Sequence, residues 1–281
     1  MTVDPSPLEH TAFDATAPDL SDARVVVTGA ARGIGAAYAR AFVDAGARVV
    51  VNDLDADALS ATAESLGAHA VPGDASSEEG VESLVAAARE HLGGIDVYCA
   101  NAGVARGGTE AVAEKAWEVS WNVNVMGHVR AARLLVPEWL ERGSGTFVAT
   151  VSAAGLLSIP GAAPYAVTKH AALAFAEWMS MTYGDKGIRV HAVCPQGVHT
   201  DMLRNSGAAG RALMEPTAVS PEKVAQDLFA AMVDGRFLVL PHPEVAQMYA
   251  HRAADPDRWL AGMRRLAGAL PPVTMGADWP G

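Results

Sequence analysis

Two side chains with complementary acid and base chemistry stand close together at Tyr165 and Lys169, in the stretch PYAVTK at residues 164–169. Residues four apart share one face of a helix, a turn from each other. A lysine charge at that distance favours phenolate, so we expect it to lower the tyrosine pKa from about 10 toward working pH. Ser152 follows the apolar run at residues 146–151 and adds a hydroxyl. Together these groups predict proton transfer to or from a substrate oxygen.

A glycine-rich segment, RVVVTGAARGIG at residues 24–35, leads into the helical pattern of residues 36–43. This order predicts a strand, a phosphate-binding loop and a helix. Gly29 permits a tight turn, Gly33 lets the backbone approach a pyrophosphate, and Gly35 allows close packing of the helix. The first amides of that helix favour an anion. The segment therefore predicts a dinucleotide site.

An acidic residue, Asp53, ends the next apolar run at residues 47–52. Its carboxylate can accept hydrogen bonds from an adenosine ribose, and it repels a 2′-phosphate. This favours NAD over NADP. Two alternatives stay open: Arg32 in the glycine loop can serve a 2′-phosphate, and Asp53 can simply cap the helix that begins near Asp55.

Taken together, these motifs resemble those of the short-chain dehydrogenase/reductase family, in the subgroup with a T-G-x-x-x-G-x-G loop. The similarity covers most of the chain and follows the family order: the loop at residues 28–35, then the family's remaining elements Asp74, Asn101 to Gly103, Asn124, Ser152, Tyr165 and Lys169. The resemblance implies an α/β fold of the Rossmann type, a doubly wound sheet of about seven parallel strands with helices on both faces. Alternating strand and helix patterns over residues 24–240 independently favour such a sheet.

The resemblance also implies a catalytic tetrad of Asn124, Ser152, Tyr165 and Lys169. Tyr165 would exchange the substrate proton, and Ser152 would stabilise charge on the substrate oxygen. Lys169 would lower the Tyr165 pKa and bind the nicotinamide ribose. Asn124 would bend its helix and, through its side chain or a water, link Lys169 to solvent.

The family pattern further implies a set of cofactor contacts. Asp74 is expected beside the adenine, although an aspartate there also suits a plain turn. Thr200 is expected at the nicotinamide carboxamide. The full predicted set for the cofactor is Gly29, Arg32, Gly33, Ile34, Gly35, Asp53, Asp74, Asn101, Gly103, Tyr165, Lys169, Val198 and Thr200.

The substrate side shows a departure from the family: Gln196 follows Pro195 where a glycine is usual. It is either a specificity residue or a solvent-facing loop residue, and His199 either touches the substrate or caps a loop. A mobile lid is expected over residues 200–219. The predicted pocket is mostly apolar, which favours a neutral substrate: Ala153, Ala154, Ile159, Gln196, His199, Met202 and Leu203.

The hypothesis from these observations is an NAD-dependent enzyme that interconverts a secondary alcohol and a ketone. One alternative is an NADPH-dependent ketoreductase that uses Arg32. Another, of a different class, is a non-catalytic dinucleotide sensor or scaffold on the same fold.

Composition limits the partners. The 281 residues carry a formal net charge of −11, which disfavours nucleic acid and anionic membranes. No apolar run suits a membrane span or a signal peptide, so we expect a cytoplasmic protein. Cys99 and Cys194 are expected as buried free thiols, and no metal site is predicted.

Domain organisation follows from the same patterns. We expect a disordered arm over residues 1–20, one Rossmann-type domain over 21–241, and a C-terminal helical extension over 242–281 that packs on this domain or a neighbouring subunit. The helix at 165–183 is apolar around most of its circumference. With the helical stretch at 117–142 it resembles the family's four-helix subunit interface, which implies a homodimer or homotetramer.

Overall fold

The computed structural model describes residues 20–271. Residues 1–19 of the arm predicted over residues 1–20, and the last ten residues of the extension, lie outside this range. Seven parallel strands form one sheet in the order β3-β2-β1-β4-β5-β6-β7. The strands are β1 (Arg24–Thr28), β2 (Arg48–Asn52), β3 (His69–Ala70), β4 (Val97–Ala100), β5 (Gly145–Thr150), β6 (Ile188–Val193) and β7 (Leu238–Val239).

The helices follow the strands in chain order and confirm the alternating pattern. They are α1 (Gly33–Asp44), α2 (Ala56–Leu66), α3 (Glu78–Leu92), α4 (Glu114–Trp121), α5 (Gly127–Arg142), α6 (Ala154–Leu157), α7 (Ala163–Tyr183), α8 (Asp201–Arg204), α9 (Gly207–Met214), α10 (Pro221–Asp234), α11 (Glu244–Ala254) and α12 (Pro256–Ala269). A π-helical turn, Asn122–Met126, joins α4 to α5. The helical stretch expected at 117–142 is therefore interrupted, at the position of Asn124.

Valine-rich strands lie at the centre of the sheet because both of its faces are covered. On one face, α1, α2 and α10 bury Phe42, Leu59 and Leu228. On the other, α3, α5 and α7 bury a second cluster that also includes Val245 of α11. This double cover confirms the predicted fold class.

Local sequence accounts for many helix ends. Side chains of Asp55, Ser77, Thr200, Ser220 and Asp255 cap the starts of α2, α3, α8, α10 and α12. Glycines in the left-handed conformation end α2, α3, α5 and α10. The cap of α2 is Asp55, so the reading of Asp53 as that cap is wrong.

The strand order reverses between β1 and β4, since β2 lies on one side of β1 and β4 on the other. In open parallel sheets, the carboxyl ends of the strands at such a point form a crevice for ligands. Most candidate residues follow the carboxyl ends of β1 to β6, and Asn124, Tyr165 and Lys169 lie in the π-helical turn and α7. None of the helices within the described range has the length and apolarity to span a membrane.

Candidate active site

The turn after β1 needs its glycines. Gly29 has φ +62°, and a Cβ atom there would lie 2.8 Å from the Cα atom of Ala102. A Cβ atom on Gly35 would overlap the carbonyl oxygen of Gly29. Only hydrogen fits at either position, so α1 starts directly against the turn.

A hydrogen-bond network ties this turn to the end of β4. The Thr28 hydroxyl accepts from the amides of Asn101 and Ala102, both at 3.0 Å. The Asn101 side chain donates to the carbonyls of Thr28 at 2.9 Å and Gly29 at 3.2 Å. Asn101 thus shapes the crevice by holding the glycine turn, and its amide nitrogen is committed to that task. The support from Thr28 escaped the sequence reasoning, which cited this residue only as part of the loop motif.

The start of α1 suits an anion. No side chain caps it, and its first turn contains no acid. Gly33 has φ +58°, and a Cβ atom there would meet the Thr200 methyl carbon at 3.1 Å. Exposed amides, a positive helix end and a lack of side-chain bulk are what a pyrophosphate requires. These residues therefore fit a dinucleotide, with Ile34 half-buried beside them.

Carboxylates surround the outer part of the loop. Asp53 accepts from the Ala31 amide at 3.1 Å and from the Asp55 amide at 3.2 Å. Arg32 forms an ion pair with Asp55 and lies 3.6 Å from a carboxylate oxygen of Asp201, the first residue of α8. The loop arginine therefore already has two anionic partners.

Asp74 adopts the turn geometry that the sequence allowed. Its carboxylate accepts from the Ser76 amide at 2.8 Å and from the Ser76 hydroxyl at 2.6 Å. Asn52, at the end of β2, supports the same turn through the carbonyls of Val71 and Gly73. The carboxylate shapes the segment that leads into α3.

Lys169 is buried on α7, and its ammonium donates to the Thr150 carbonyl at 2.9 Å. The ammonium nitrogen lies 5.8 Å from the centre of the Tyr165 ring. A Cβ atom on Gly103 would come within 3.4 Å of it, so Gly103 leaves room for the lysine at the floor of the crevice. Burial lowers the Lys169 pKa to about 8.

Tyr165 differs from the sequence expectation in one respect. Its pKa is raised, because the desolvation of the phenol by burial outweighs the opposing hydrogen bond from Ser152. The predicted lowering by Lys169 is not found, because burial dominates the Tyr165 pKa. In this environment Tyr165 is a protonated phenol at neutral pH.

Ser152 is buried and lies between the phenol and the loop after β6. Its hydroxyl oxygen accepts from the Ala154 amide at 3.1 Å and lies 3.4 Å from the Pro195 carbonyl oxygen. The second contact is long for a hydroxyl hydrogen bond, so the proton is available to another acceptor. Phenol, hydroxyl and ammonium thus meet at the carboxyl end of β5.

Asn124 lies in the π-helical turn, where its helix departs from α geometry as expected. Its side-chain oxygen accepts from the Val104 amide at 3.0 Å, and its nitrogen donates to the Val104 carbonyl at 2.9 Å and to the Thr168 hydroxyl at 3.0 Å. Among the described residues no hydrogen bond joins Asn124 directly to Lys169, and the link from Lys169 to solvent through the Asn124 side chain or a water stays a prediction. Asn124 thus joins Val104, which follows Gly103, to Thr168, which precedes Lys169. Nothing in the sequence around Asn124 predicts this role.

The predicted substrate residues fall into three groups. Ala153 and Ala154 are buried beside Ser152, and Ile159 is half-buried. Gln196 is half-buried, whereas His199 is exposed. In the lid segment Met202 is exposed and Leu203 is buried, because Thr200 caps α8 and turns Leu203 inward. Val198 is buried at the lid's base, where it pairs with Val219.

The two cysteines are free and buried. Cys99 lies on β4 and Cys194 follows β6, with β5 between them. Burial raises the pKa of both thiols, so neither is an activated nucleophile. Within residues 20–271 no three His, Cys, Asp or Glu side chains are grouped as metal ligands.

Comparisons with known proteins identify the family. The model of the short chain dehydrogenase family matches residues 23–210. A 1-deoxy-11-beta-hydroxypentalenate dehydrogenase of Streptomyces exfoliatus is 38% identical over 232 residues, which cover 78% of this chain and 82% of that protein. A 2,5-dichloro-2,5-cyclohexadiene-1,4-diol dehydrogenase of Sphingobium indicum is 34% identical over 193 residues, 67% of this chain and 77% of that protein.

A solved structure is similar as well. The short chain dehydrogenase/reductase of Burkholderia phymatum, crystallised in complex with NAD, superposes with a TM-score of 0.79 at 28% identity, over 85% of this chain and 96% of that one. The fold, the glycine turn and these relatives lead to one assignment. The chain belongs to the short chain dehydrogenase family and is an oxidoreductase.

Proposed function

We propose that the protein is an NAD(H)-dependent oxidoreductase that interconverts a neutral secondary alcohol and the corresponding ketone. The observation that carries the proposal is the meeting of Tyr165, Ser152 and Lys169 at the crevice edge, with Lys169 against Gly103. The printed names of the relatives, dehydrogenases of a hydroxypentalenate and of a cyclohexadiene diol, support a hydroxyl group as the reacting function.

Each of these residues has a distinct role in the reaction. In ketone reduction, the Tyr165 phenol donates its proton to the carbonyl oxygen while Ser152 hydrogen-bonds the same oxygen. In alcohol oxidation, the Tyr165 phenolate accepts the hydroxyl proton. A nicotinamide held at the glycine turn and beside Lys169 would supply or accept the hydride at the carbon. Lys169 stabilises the phenolate by its charge, and Asn124 keeps Lys169 and the Gly103 segment in place through Thr168 and Val104.

Three features support NAD. The Asp53 carboxylate is fixed at the end of β2 by two amides, where it repels a 2′-phosphate. Arg32 is engaged by Asp55 and Asp201, so its charge is partly neutralised. The similar structure from Burkholderia phymatum was solved with NAD. The alternative, an NADPH-dependent ketoreductase, would need Arg32 released from these partners.

Around the reacting groups, the lining is apolar and neutral. Ala153, Ala154 and Ile159 contribute no charge. A carboxylate or phosphate substrate would lack an ionic partner there, which supports a neutral alcohol. Leu203 adds an apolar surface from the lid, and the exposed Met202 is free to cover a bound substrate.

Exposed apolar side chains support a homodimer or homotetramer. Val167, Trp178 and Met181 of α7 are 49%, 49% and 79% exposed, and Trp121 at the end of α4 is 45% exposed. Large apolar groups concentrated on neighbouring helices indicate a protein interface. We expect light scattering to show a multiple of the monomer mass and Trp178→Glu to shift it toward the monomer; a wild-type monomer would refute the assembly.

The buried free thiols suit a reducing compartment, so we propose a cytoplasmic location. The net charge of −11 supports neither nucleic acid nor an anionic membrane as partner.

The experiment follows nicotinamide absorbance with NAD and NADP separately, against cyclic, aryl and aliphatic secondary alcohols. We expect turnover with NAD, its loss in Tyr165→Phe, and unchanged NADH binding in that variant. Tyr183→Phe, on the same helix, is the matched control and should behave like the wild type. Unchanged turnover in Tyr165→Phe would refute the mechanism. NADH binding without turnover of any alcohol would favour the dinucleotide sensor.

A further inference from the structure

The C-terminal helix α11 packs along the substrate side of the site. Val245, Met248 and Arg252 share one face of this helix. Val245 is fully buried in the core cluster that also holds Ala153 and Leu156. Arg252 donates to the Leu156 carbonyl of α6, the helix after Ser152, and lies 3.1 Å from the His170 ring nitrogen. The extension is thus anchored in cis beside the reacting groups.

A buried imidazole joins the extension to the lid. His242, just before α11, is 2% exposed. Its Nδ1 accepts from the backbone amide of Gln196 at 3.1 Å, and its Nε2 donates to the Thr217 carbonyl at 3.1 Å. These two bonds require the tautomer with the proton on Nε2. One ring therefore holds both the loop after β6 and the end of the lid.

The Gln196 side chain is held only weakly. Its Nε2 lies 3.7 Å from the Met248 sulfur. Among residues 20–271 this thioether is the only hydrogen-bonding partner of the Gln196 side chain, and a thioether is a weak acceptor. This half-buried side-chain amide follows Pro195, whose carbonyl oxygen lies 3.4 Å from the Ser152 hydroxyl oxygen, so it is available for a stronger polar partner beside the reacting groups.

We propose that the C-terminal extension is the specificity element of this site: Met248 positions the Gln196 amide so that it binds a second oxygen of the substrate, beyond the reacting hydroxyl. The substrate class is then a secondary alcohol or ketone with an apolar body and a further hydroxyl or carbonyl group. His242 and Arg252 are positioning residues, since they fix the Gln196 backbone and α11. The inference rests on the proposed alcohol dehydrogenase activity.

The test compares cyclic secondary alcohols with the corresponding 1,2-, 1,3- and 1,4-diols, as ratios of kcat/KM with NAD. A ratio between two substrates does not change when part of the sample is misfolded. We expect the wild type to prefer the best diol by about tenfold, which corresponds to one hydrogen bond of ordinary strength. Gln196→Leu should bring the ratio close to one, and Met248→Ala should lower it several-fold with Met248→Leu intermediate.

Gln247→Leu is the matched control, because Gln247 is exposed on the same helix and should keep the wild-type ratio. Turnover with no diol preference in the wild type, or a preference unchanged in both Gln196→Leu and Met248→Ala, would overturn the inference alone. Failure to oxidise any alcohol would instead overturn the proposed function and the inference with it.

Discussion

Replacement of Lys169 by methionine should make the protein more stable while removing its activity. The lysine is buried, and its pKa is lowered from 10.5 to about 8. A lysine pKa that is lower in the folded than in the unfolded state destabilises the folded protein at every pH at which the unfolded lysine is protonated. At 1.36 kcal/mol per unit, the penalty at pH 7 is about 3 kcal/mol.

Lys169→Met removes this penalty, but it also removes the hydrogen bond from the lysine to the Thr150 carbonyl, which offsets part of the gain in stability. A bond of this kind contributes about 1 kcal/mol, and leaving a buried carbonyl unpaired costs about as much. Methionine is unbranched and flexible, so it fills the space of the lysine stem. The net expectation for Lys169→Met at pH 7 is a stabilisation of about 1–2 kcal/mol.

The pH dependence gives the sharper test. Below pH 8 the lysine is charged in both states and the penalty is complete. Between pH 8 and 10.5 the folded lysine is neutral while the unfolded one is still charged, so the wild type recovers stability with rising pH. Near pH 10.5 the penalty disappears, and the lost hydrogen bond should leave the variant the less stable protein.

The assay is urea unfolding followed by circular dichroism at pH 7, 8, 9 and 10, at one protein concentration because assembly shifts apparent stability. Lys186→Met is the control, since Lys186 is exposed and should change stability by less than about 0.5 kcal/mol at every pH. A difference between wild type and Lys169→Met that stays constant from pH 7 to 10 would refute the depressed pKa.

Three further predictions follow from the crevice. Gly35→Ala should cost several kcal/mol in thermal unfolding and weaken NADH binding measured by fluorescence, because its Cβ atom overlaps a loop carbonyl; wild-type values for both would contradict the packing. Asp55→Asn with Asp201→Asn should raise NADPH affinity relative to NADH about fivefold by freeing the loop arginine, a modest effect since these ion pairs are exposed. Asp57→Asn, in the first turn of the same helix, should leave that ratio unchanged. Alcohol oxidation should rise with pH from 6 to about 8, where Lys169 is still charged, because the phenolate fraction of Tyr165 grows about tenfold per unit below its raised pKa; a kcat/KM profile that falls over this range would contradict the role of the phenol as base.

Local patterns were sufficient for much of the architecture. The valine runs of β1 and β2 are apolar on both faces, which only a covered parallel sheet accommodates. The glycine turn was predictable because Gly29 and Gly33 adopt positive φ and Gly35 packs against the carbonyl of Gly29 in the same loop, although Ala102 and Thr200, which also crowd the turn, are distant in the chain. The helices at 245–252 and 257–266 were found from their periodicity, and the structure extends both by a few residues.

Contacts between distant segments were not predictable in this way. Nothing near Asn124 in the chain indicates that its amide clamps Val104 and Thr168, since those partners meet it only after folding. The contacts of Arg32 with Asp201 and of Gln196 with Met248 were equally unpredictable, because the two partners of each pair are distant in the chain. The resemblance to a family predicted which side chains react but not these supporting contacts.

The sequence by itself determined the fold class, because strand burial and helix capping depend on neighbouring residues, and it predicted a dinucleotide crevice and a set of reacting groups. The tertiary structure alone decided how burial shifts the pKa values of Tyr165 and Lys169 and where the extension packs. Spacing along a helix placed a charge near Tyr165, but the pKa also depends on how much water the packed chain excludes. Desolvation is a property of the whole surrounding volume, to which α5, α7 and the loops after β5 and β6 all contribute, and no local pattern records it.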